Sequence, residues 1–197
     1  MEESGPPAEP ADEGLMAMAQ RGDGPAFERL VKRYEHRLFN YIRRMVGSSA
    51  DAEDLFQETF LRVYRHRNRF RTSARFRPWV YRIATNLCRD HLRYRRRRPA
   101  LSLNAPAGDA GTALADTVAA PNPGPEEYAR ERELAAHIEA AIGRLSLKHR
   151  SVFVMARYEG MAYGDIARAL RIPVGTVKSR MNHAVAQVLD DIGETKT

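Results

Sequence analysis

The chain has 197 residues and a formal net charge of +7 at pH 7, and its bases are almost all arginine, since lysine occurs only at Lys32, Lys148, Lys178 and Lys196. Arginine favours bidentate contacts with phosphate and stacking on bases, so the composition favours a nucleic-acid partner. The single cysteine, Cys88, excludes an internal disulfide and a cysteine-rich zinc site, and because no apolar run could span a membrane we expect a cytoplasmic protein.

An acidic leader and a capped helix open the chain. Residues 1–14 hold five acids and three prolines, a composition that predicts a disordered leader. Asp23 and Pro25 then supply a cap and a first-turn residue for a helix, and Gly47 supplies its stop. Between them apolar side chains recur three or four positions apart, which predicts one buried stripe: Phe27, Leu30, Val31, Tyr34, Leu38, Tyr41, Ile42 and Met45.

A second helix is predicted from the stretch SSADAEDLFQETFLRVYRHR, whose serines can cap it and whose early acids favour the helix dipole. Its apolar side is expected to be buried: Ala52, Leu55, Phe56, Thr59, Phe60 and Val63. Its outward side carries acids and an amide around one leucine, which suits contact with another protein: Asp54, Gln57, Glu58 and Leu61.

The acids of this second helix allow two other interpretations. Asp51, Glu53, Asp54 and Glu58 could bind Mg²⁺ as a nuclease would, but only Asp54 and Glu58 share a helical face, and no further histidine or acid cluster completes a site. The acids could also form a solvated face with no partner. We therefore expect neither a catalytic residue nor a metal or other cofactor.

A third helix is predicted from Pro78, after the loop NRFRTSARF. One side of this helix is mostly apolar and includes Cys88 and His91, which we interpret as residues at the edge of the core. The other side is expected to be exposed: Tyr81, Arg82, Thr85, Arg89 and Arg93, with Asn86 at its margin.

Positive charge is concentrated around this third helix. Residues 62–98 hold fourteen arginines against the single acid Asp90, and aromatic residues are interleaved with them. Arginines can follow a phosphate backbone while exposed rings stack on bases at roughly 1–3 kcal/mol each, which favours binding of single-stranded DNA. Some of these rings, Trp79 in particular, could instead belong to the core.

The chain changes character between Pro99 and Pro125, where prolines and glycines lie among alanines. This composition predicts a flexible linker over residues 99–125. Helical periodicity resumes at residue 126 and no strand pattern competes with it. The predicted fold is all-α, with two small domains joined by the linker: a helical bundle over residues 15–98 and a helix-turn-helix domain over residues 126–193.

The stretch YGDIARALRIPVGTVKSRMNHAV has the form of a helix-turn-helix, in which the first helix breaks at Ile172-Pro173 and a second begins at once. One side of the second helix is apolar. The other side is polar near the N-terminus, as a helix that enters the major groove requires, although a solvated surface would look the same: Ser179, Asn182 and His183, flanked by Thr176, Lys178 and Arg180.

Three of these stretches together resemble bacterial sigma factors of the sigma-70 family, and most closely the extracytoplasmic-function (ECF) group. The stretch LSLKHRSVFVMARYEGMAYGDIARALRIPVGTVKSRMNHAV is similar to the DNA-reading domain of that group. DAEDLFQETFLRVYR resembles the helix that grips the clamp of RNA polymerase, and FRPWVYRIATNLCRDHLRYRRRR resembles the helix that engages the opened −10 element. Asn182, His183 and Val185 differ from the arginines or aromatics that the family usually carries there.

The resemblance implies a function for each surface. Residues 15–98 would form sigma region 2 and residues 126–193 sigma region 4, which reads the −35 element as duplex. Core RNA polymerase would bind Asp54, Gln57, Glu58 and Leu61. The loop Arg69 to Phe76 would line a pocket for a flipped base, and the melted −10 strand would meet these residues: Phe70, Arg71, Phe76, Tyr81, Arg82, Thr85, Asn86, Arg89 and Arg93.

The resemblance also implies the partners: core RNA polymerase, promoter DNA both as duplex and as melted single strand, and an anti-sigma factor. The chain would direct polymerase to promoters and aid their melting, without being an enzyme. A free-standing helix-turn-helix regulator is the main alternative, although it gives no use for the outward residues of the second helix. An enzyme acting on nucleic acid is the other alternative, and it lacks a catalytic set.

Overall fold

The computed structural model describes residues 9–97 and 125–194, and in these ranges every regular element is helical, as predicted. Within the same ranges no helix combines the length and the apolar character needed to cross a membrane. The α-helices of the described residues have these bounds: α1 Asp12–Gln20, α2 Gly24–Val46, α3 Ser49–Arg65, α4 Phe76–Arg97, α5 Pro125–Arg144, α6 Leu147–Arg157, α7 Tyr163–Leu170 and α8 Val174–Glu194. A 3₁₀ turn, Arg67–Arg69, lies between α3 and α4.

The ends of α2 and the start of α3 follow from local sequence. The Asp23 side chain accepts a hydrogen bond of 2.9 Å from the Ala26 backbone N–H and so satisfies one open donor of α2. Gly47, with a φ of 78°, terminates α2 in the left-handed conformation that glycine adopts without steric cost. The Ser48 hydroxyl then accepts a hydrogen bond of 3.3 Å from the Asp51 N–H and caps α3.

Helices α1 to α4 share one hydrophobic core. Most of the stripe predicted on α2 is buried there, with Leu30, Leu38 and Ile42 fully inaccessible, whereas Phe27 and Val31 lie at its edge. Inside the core the hydroxyl groups of Tyr41 and Thr85 form a hydrogen bond of 2.7 Å, so neither buried oxygen lacks a partner.

Tyr81 and Thr85 were predicted to lie on the exposed side of the third helix, and the structure contradicts this. Both are buried, at 0% and 3% exposure. Helix α4 packs against α2 and α3 on one side and against α7 of the second domain on another, so helical periodicity alone underestimated how much of its circumference is covered. Tyr81 packs edge-on against Tyr41, with ring centroids 5.0 Å apart.

The predicted leader extends too far along the chain. Residues 1–8 lie outside the described residues, but α1 begins at Asp12, inside the predicted range 1–14. Leu15 and Met16 are fully buried against the rest of the first domain. Asp12 also accepts a hydrogen bond from Tyr34 and pairs with Arg33 at 2.6 Å, which ties this acidic segment to α2.

The second domain consists of α5 to α8, and α7 and α8 form the helix-turn-helix. Helix α7 ends at Leu170, and the next residue, Arg171, has a φ of 54°, a left-handed conformation that is unusual for a residue with a side chain. Pro173 follows at once, and its carbonyl accepts hydrogen bonds from the Thr176 and Val177 N–H groups in the first turn of α8. The turn therefore lies where the sequence predicts it.

The two domains contact each other. Helix α7 lies against α4, and α5 and α6 lie against α2. The predicted linker falls almost entirely within residues 98–124, outside the described residues, except that Pro125 already belongs to α5. The residues that pair or hydrogen-bond across this boundary are far apart in the chain, so no local pattern in the sequence indicates the contact.

Cys88 is expected to be chemically inert in the folded chain. It is fully buried, and burial raises the pKa of its thiol to about 12, so very little thiolate exists near pH 8. We expect an aromatic disulfide reagent to react with Cys88 more than about a hundredfold faster in urea than in buffer. The variant Lys32→Cys, with a thiol at an exposed position of α2, serves as the rapidly reacting control. Rapid reaction of native Cys88 would contradict its burial.

Candidate protein and nucleic-acid interfaces

The outward face of α3 carries the residues predicted to bind another protein. Asp54 and Gln57 are exposed, and Leu61 is 50% exposed although it is apolar. Glu58 is half-buried because it accepts a hydrogen bond of 2.7 Å from Arg62 one turn later. The structure thus places an exposed leucine beside carboxylates and an amide on one surface, which we call the α3 face.

Tyr64 extends the α3 face and was not predicted. It is 45% exposed and lies three positions after Leu61, which puts the two side chains on the same side of the helix. Its ring packs edge-on against Phe27 at 5.1 Å and under the Arg67 guanidinium at 4.1 Å. The spacing of three residues between Leu61 and Tyr64 was the feature of the sequence that could have placed Tyr64 on this face.

Asp51, one of the acids considered for a metal site, has a different role. Its carboxylate pairs with Arg95 at 2.8 Å and lies 3.4 Å from His91, both on α4. Within the described residues, no group of three or more histidine, cysteine, aspartate or glutamate side chains could hold a metal ion. Asp51 therefore links the start of α3 to the end of α4.

The exposed part of α4 is narrower than predicted. Asn86, Arg89 and Arg93 are exposed along one side and Arg82 is half-buried above them; we call these four residues the α4 face. Burial, and then the charge of Arg171 in the second domain, lowers the pKa of Arg82. The α4 face therefore consists of three arginines and one asparagine, and only its Arg82 end lies close to the second domain.

Two aromatic residues, Phe70 in the loop before α4 and Phe76 at the start of α4, were assigned to DNA binding by the resemblance. Phe70 and Phe76 are buried and pack against Trp79, with centroids 5.1 and 5.9 Å from its ring. In this conformation neither phenylalanine is available to stack on a base. The exposed positions of the loop are Asn68, Arg69 and the segment that begins with Arg71 and ends with Arg75.

Helix α1 fixes this loop, a role that sequence reasoning missed. The Gln20 amide donates hydrogen bonds to the carbonyl oxygens of Arg67 and Phe70, at 2.7 and 2.8 Å. Glu13 accepts a hydrogen bond of 2.8 Å from the Phe76 N–H at the start of α4. Such supporting residues are hard to identify from sequence because they act through backbone groups distant in the chain.

Most of the predicted polar side of α8 is exposed. Lys178, Ser179, Asn182 and His183 are accessible, while the flanking Thr176 and Arg180 are half-buried. These six residues are called the α8 face. They are presented by the second helix of a helix-turn-helix, which is the helix that enters the major groove in proteins of this architecture.

His149 of α6 adds to the α8 face and was not predicted. Its ring stacks on His183, with centroids 5.8 Å apart and an interplanar angle of 17°. Burial lowers the pKa of His149, and the positive charge of Lys148 lowers it further. The neutral imidazole is therefore favoured near these basic side chains. The Nδ1 atom of His183 also lies 2.8 Å from the Ser179 carbonyl oxygen, one helical turn earlier, and this contact fixes the ring.

Together these features define a class of protein: a two-domain helical DNA-binding protein with a separate surface suited to a protein partner. Two family models match the chain, "Sigma-70 region 2" over residues 30–98 and "Sigma-70, region 4" over residues 136–188. The chain is similar to the RNA polymerase sigma-H factor of Pseudomonas aeruginosa, with 36% identity over 88% of this chain and 89% of that protein.

Two further comparisons agree. The ECF RNA polymerase sigma factor SigW of Bacillus subtilis is 35% identical over 83% of this chain and 87% of its own length. The solved structure of CnrH in complex with the cytosolic domain of CnrY has a TM-score of 0.67 and 25% identity, covering 92% of this chain and 96% of that chain. This chain belongs to the ECF sigma factors of the sigma-70 family; it is not an enzyme and directs RNA polymerase to promoters for the initiation of transcription.

Proposed function

We propose that each of the three surfaces has a separate function in the initiation of transcription. The α3 face binds core RNA polymerase, the α4 face and its preceding loop hold the melted −10 strand and so aid melting, and the α8 face reads the −35 element as duplex. The observation that carries this proposal is the separation of an acidic surface with an exposed leucine on α3 from arginine-rich and polar surfaces on α4 and α8.

Charge supports the assignment of the α4 face. Arg89 and Arg93 are exposed one helical turn apart, at a spacing that lets both contact one sugar–phosphate backbone. Opening a duplex costs about 1.4 kcal/mol per stacked step. A few arginine–phosphate contacts, at about 1.5–3 kcal/mol each, are of the size needed to hold a short opened segment.

The proposal is tested by run-off transcription. The template would carry a promoter identified by sequencing transcripts after overexpression of the chain. We expect transcripts when the full chain and core polymerase are both present, and none with either alone. Tight, sequence-specific binding of duplex DNA by the free chain, without any effect on polymerase, would favour the free-standing regulator instead.

A protein inhibitor completes the proposed function. CnrH is in complex with the cytosolic domain of CnrY, so a chain of this fold can be held by another protein. We propose that an anti-sigma factor holds this chain in the cytoplasm, competing for the surfaces that bind polymerase. Co-purification of a partner that blocks run-off transcription would support this, and transcription unaffected by every co-purified protein would contradict it.

Two α8 variants should separate base reading from phosphate binding. Asn182→Ala removes an exposed amide that can pair with a base edge, so we expect discrimination at one −35 position to fall by about 1–3 kcal/mol. Lys178→Ala removes a point charge, so it should weaken all sequences equally and reduce the salt slope by about 0.9. Holoenzyme binding to a panel of single-base variants measures both effects.

Gln187→Ala is the matched control, since it removes an amide from the same helix beyond the α8 face. Equal losses from Asn182→Ala on every sequence in the panel would contradict a base-reading role for that residue.

A further inference from the structure

We propose that His183 of α8 reads the amino group of a base in the −35 element through an unprotonated Nε2 atom, and that His149 of α6 positions its ring. In the major groove, an amino group is the hydrogen-bond donor of adenine and of cytosine. The inference rests on the proposed reading of the −35 element by the α8 face, and it adds the class of base that one residue selects.

The contact of His183 with its own helix determines which ring nitrogen carries the proton. The Nδ1 atom lies 2.8 Å from the Ser179 carbonyl oxygen. A carbonyl oxygen only accepts, so this hydrogen bond requires the proton on Nδ1. A neutral imidazole has a single N–H, which leaves Nε2 as an acceptor. His183 therefore presents an acceptor to a partner that approaches this exposed side of α8.

The ring of His149 packs against the ring of His183. The two rings are nearly parallel, with an interplanar angle of 17° and centroids 5.8 Å apart, which is an offset-stacked arrangement that aromatic rings favour. His149 is half-buried on α6, whereas His183 is exposed. Stacking from α6 and the Ser179 contact together restrict the rotation of the His183 side chain, so its Nε2 has a defined direction before DNA binds.

The charges around the two rings favour their neutral forms. Burial is the main cause of the lowered pKa of His149. The positive charges of Lys148, His183 and Arg180 lower this pKa further. A charge on one ring disfavours a charge on the other, because their centroids are 5.8 Å apart. The uncharged pair is therefore favoured near neutral pH.

The other helices that pack against α8 do not reverse this balance. On α7, Arg168 pairs with Asp165 at 2.6 Å. Arg144 of α5 pairs with Asp191, near the end of α8, at 3.0 Å. These two ion pairs contribute little net charge. Arg157, exposed at the end of α6, lines a groove that reaches the α8 face and adds to the positive charge of this surface.

An acceptor at Nε2 determines which bases are favoured. Adenine presents its N6 amino group and cytosine its N4 amino group in the major groove, whereas guanine O6 and thymine O4 are acceptors. Two acceptors that face each other both lose a hydrogen bond, which is unfavourable in an interface. At the position that His183 contacts, we expect adenine or cytosine on one strand to bind at least about fivefold more tightly than guanine or thymine, the effect of about one net hydrogen bond.

Binding of reconstituted holoenzyme to promoter duplexes tests this preference. The duplexes carry the promoter identified by transcript sequencing, with each −35 position changed in turn to all four bases, and they compete with the unchanged labelled duplex. His183→Ala identifies the position, because discrimination should be lost there and kept elsewhere. His183→Arg offers only donors, so the preference at that position should change to guanine. His137→Gln, on α5 and outside the α8 face, is the matched control and should change no preference.

The pH dependence distinguishes an accepting nitrogen from a purely structural role. Histidine gains its proton as the pH falls from about 8 to about 6. A proton on Nε2 converts the acceptor into a donor, so the preference for adenine or cytosine should fall at least about twofold over this range. His183→Gln keeps an oxygen that accepts and does not titrate, so its preference should be the same at both pH values.

Two substitutions of His149 test the positioning role. His149→Ala removes the stacked ring, so the preference at the position identified by His183→Ala should fall at least about twofold, with no change elsewhere in the element. His149→Phe keeps an aromatic face without a titratable group and should restore the preference. An unchanged preference in His149→Ala would reject the positioning role.

Three results would overturn the reading by Nε2: a wild-type preference for guanine or thymine at that position, discrimination unaffected by His183→Ala, or the same pH dependence in His183→Gln as in the wild type. Each of these would leave the reading of the −35 element by other residues of the α8 face in place. Wild-type holoenzyme that bound every −35 variant equally would reject that proposed reading as well.

Discussion

Replacing Leu61 by aspartate is expected to weaken association with core RNA polymerase more than a hundredfold while leaving the fold intact. Leu61 is the exposed apolar centre of the α3 face, with carboxylates and an amide around it. In the proposed complex its side chain is desolvated, so aspartate would bring an unpaired charge into the interface. We expect a loss of about 3 kcal/mol, or more than a hundredfold in affinity.

The fold should tolerate this substitution, because a side chain that is half accessible contributes little to the core. The thermal midpoint should therefore stay close to the wild-type value. Affinity is measured by fluorescence titration of core polymerase with labelled chain, and run-off transcription should fall in parallel.

Leu134→Asp is the matched control. Leu134 lies on α5 and is 47% exposed, so the same substitution is made at a similarly accessible leucine outside the α3 face. We expect it to bind polymerase like the wild type. Equal affinity for Leu61→Asp and wild type would remove α3 from the polymerase interface.

Reversing two charges on the α4 face is expected to prevent capture of single-stranded DNA by the holoenzyme. Arg89 and Arg93 are both exposed, so changing them to glutamate removes no core packing. Two arginine–phosphate contacts would be replaced by repulsion, for which we expect a loss of at least about 3 kcal/mol. Anisotropy of a labelled single strand added to reconstituted holoenzyme measures this loss, with core polymerase alone as background.

Salt dependence identifies the cause of the loss. For single strands each neutralised phosphate contributes about −0.7 to the slope of log K against log salt. This slope should therefore be shallower by about 1.4 for the double variant. Arg21→Glu combined with Lys32→Glu makes the same change of charge at exposed positions of the first domain outside the α4 face. If that control lost as much affinity and its salt dependence became as shallow, general electrostatic attraction would account for the data. The α4 face would then have no special role.

Much of the local structure could be predicted from the sequence. The helices, the cap at Asp23 and the stop at Gly47 follow from residues within one or two turns of each other, where propensity and periodicity act directly. The outward residues of α3 and most of those on α8 could also be predicted, since each helix has only one apolar stripe and buries that side. The resemblance in the sequence identified the family correctly.

Predictions failed where a helix is covered from more than one direction. Tyr81 and Thr85 lie on the polar side of α4 by periodicity, yet both are buried, because Tyr41 and Glu159 supply hydrogen-bond partners from different parts of the chain. A polar side chain can be buried once its partners are present, and partners distant in sequence leave no local pattern. Phe70 and Phe76 were assigned to DNA by the resemblance, and their rings are instead buried against Trp79.

The sequence by itself therefore determined the helices, the two-domain order and the family, since these depend on short-range periodicity and on motifs read along the chain. Only the tertiary structure decided which arginines and rings remain accessible, how α1 fixes the loop before α4, and that Glu159 meets Tyr81 across the domains. These features arise from charges and hydrogen bonds between residues far apart in the chain, whose energies depend on burial and distance rather than on spacing in the sequence.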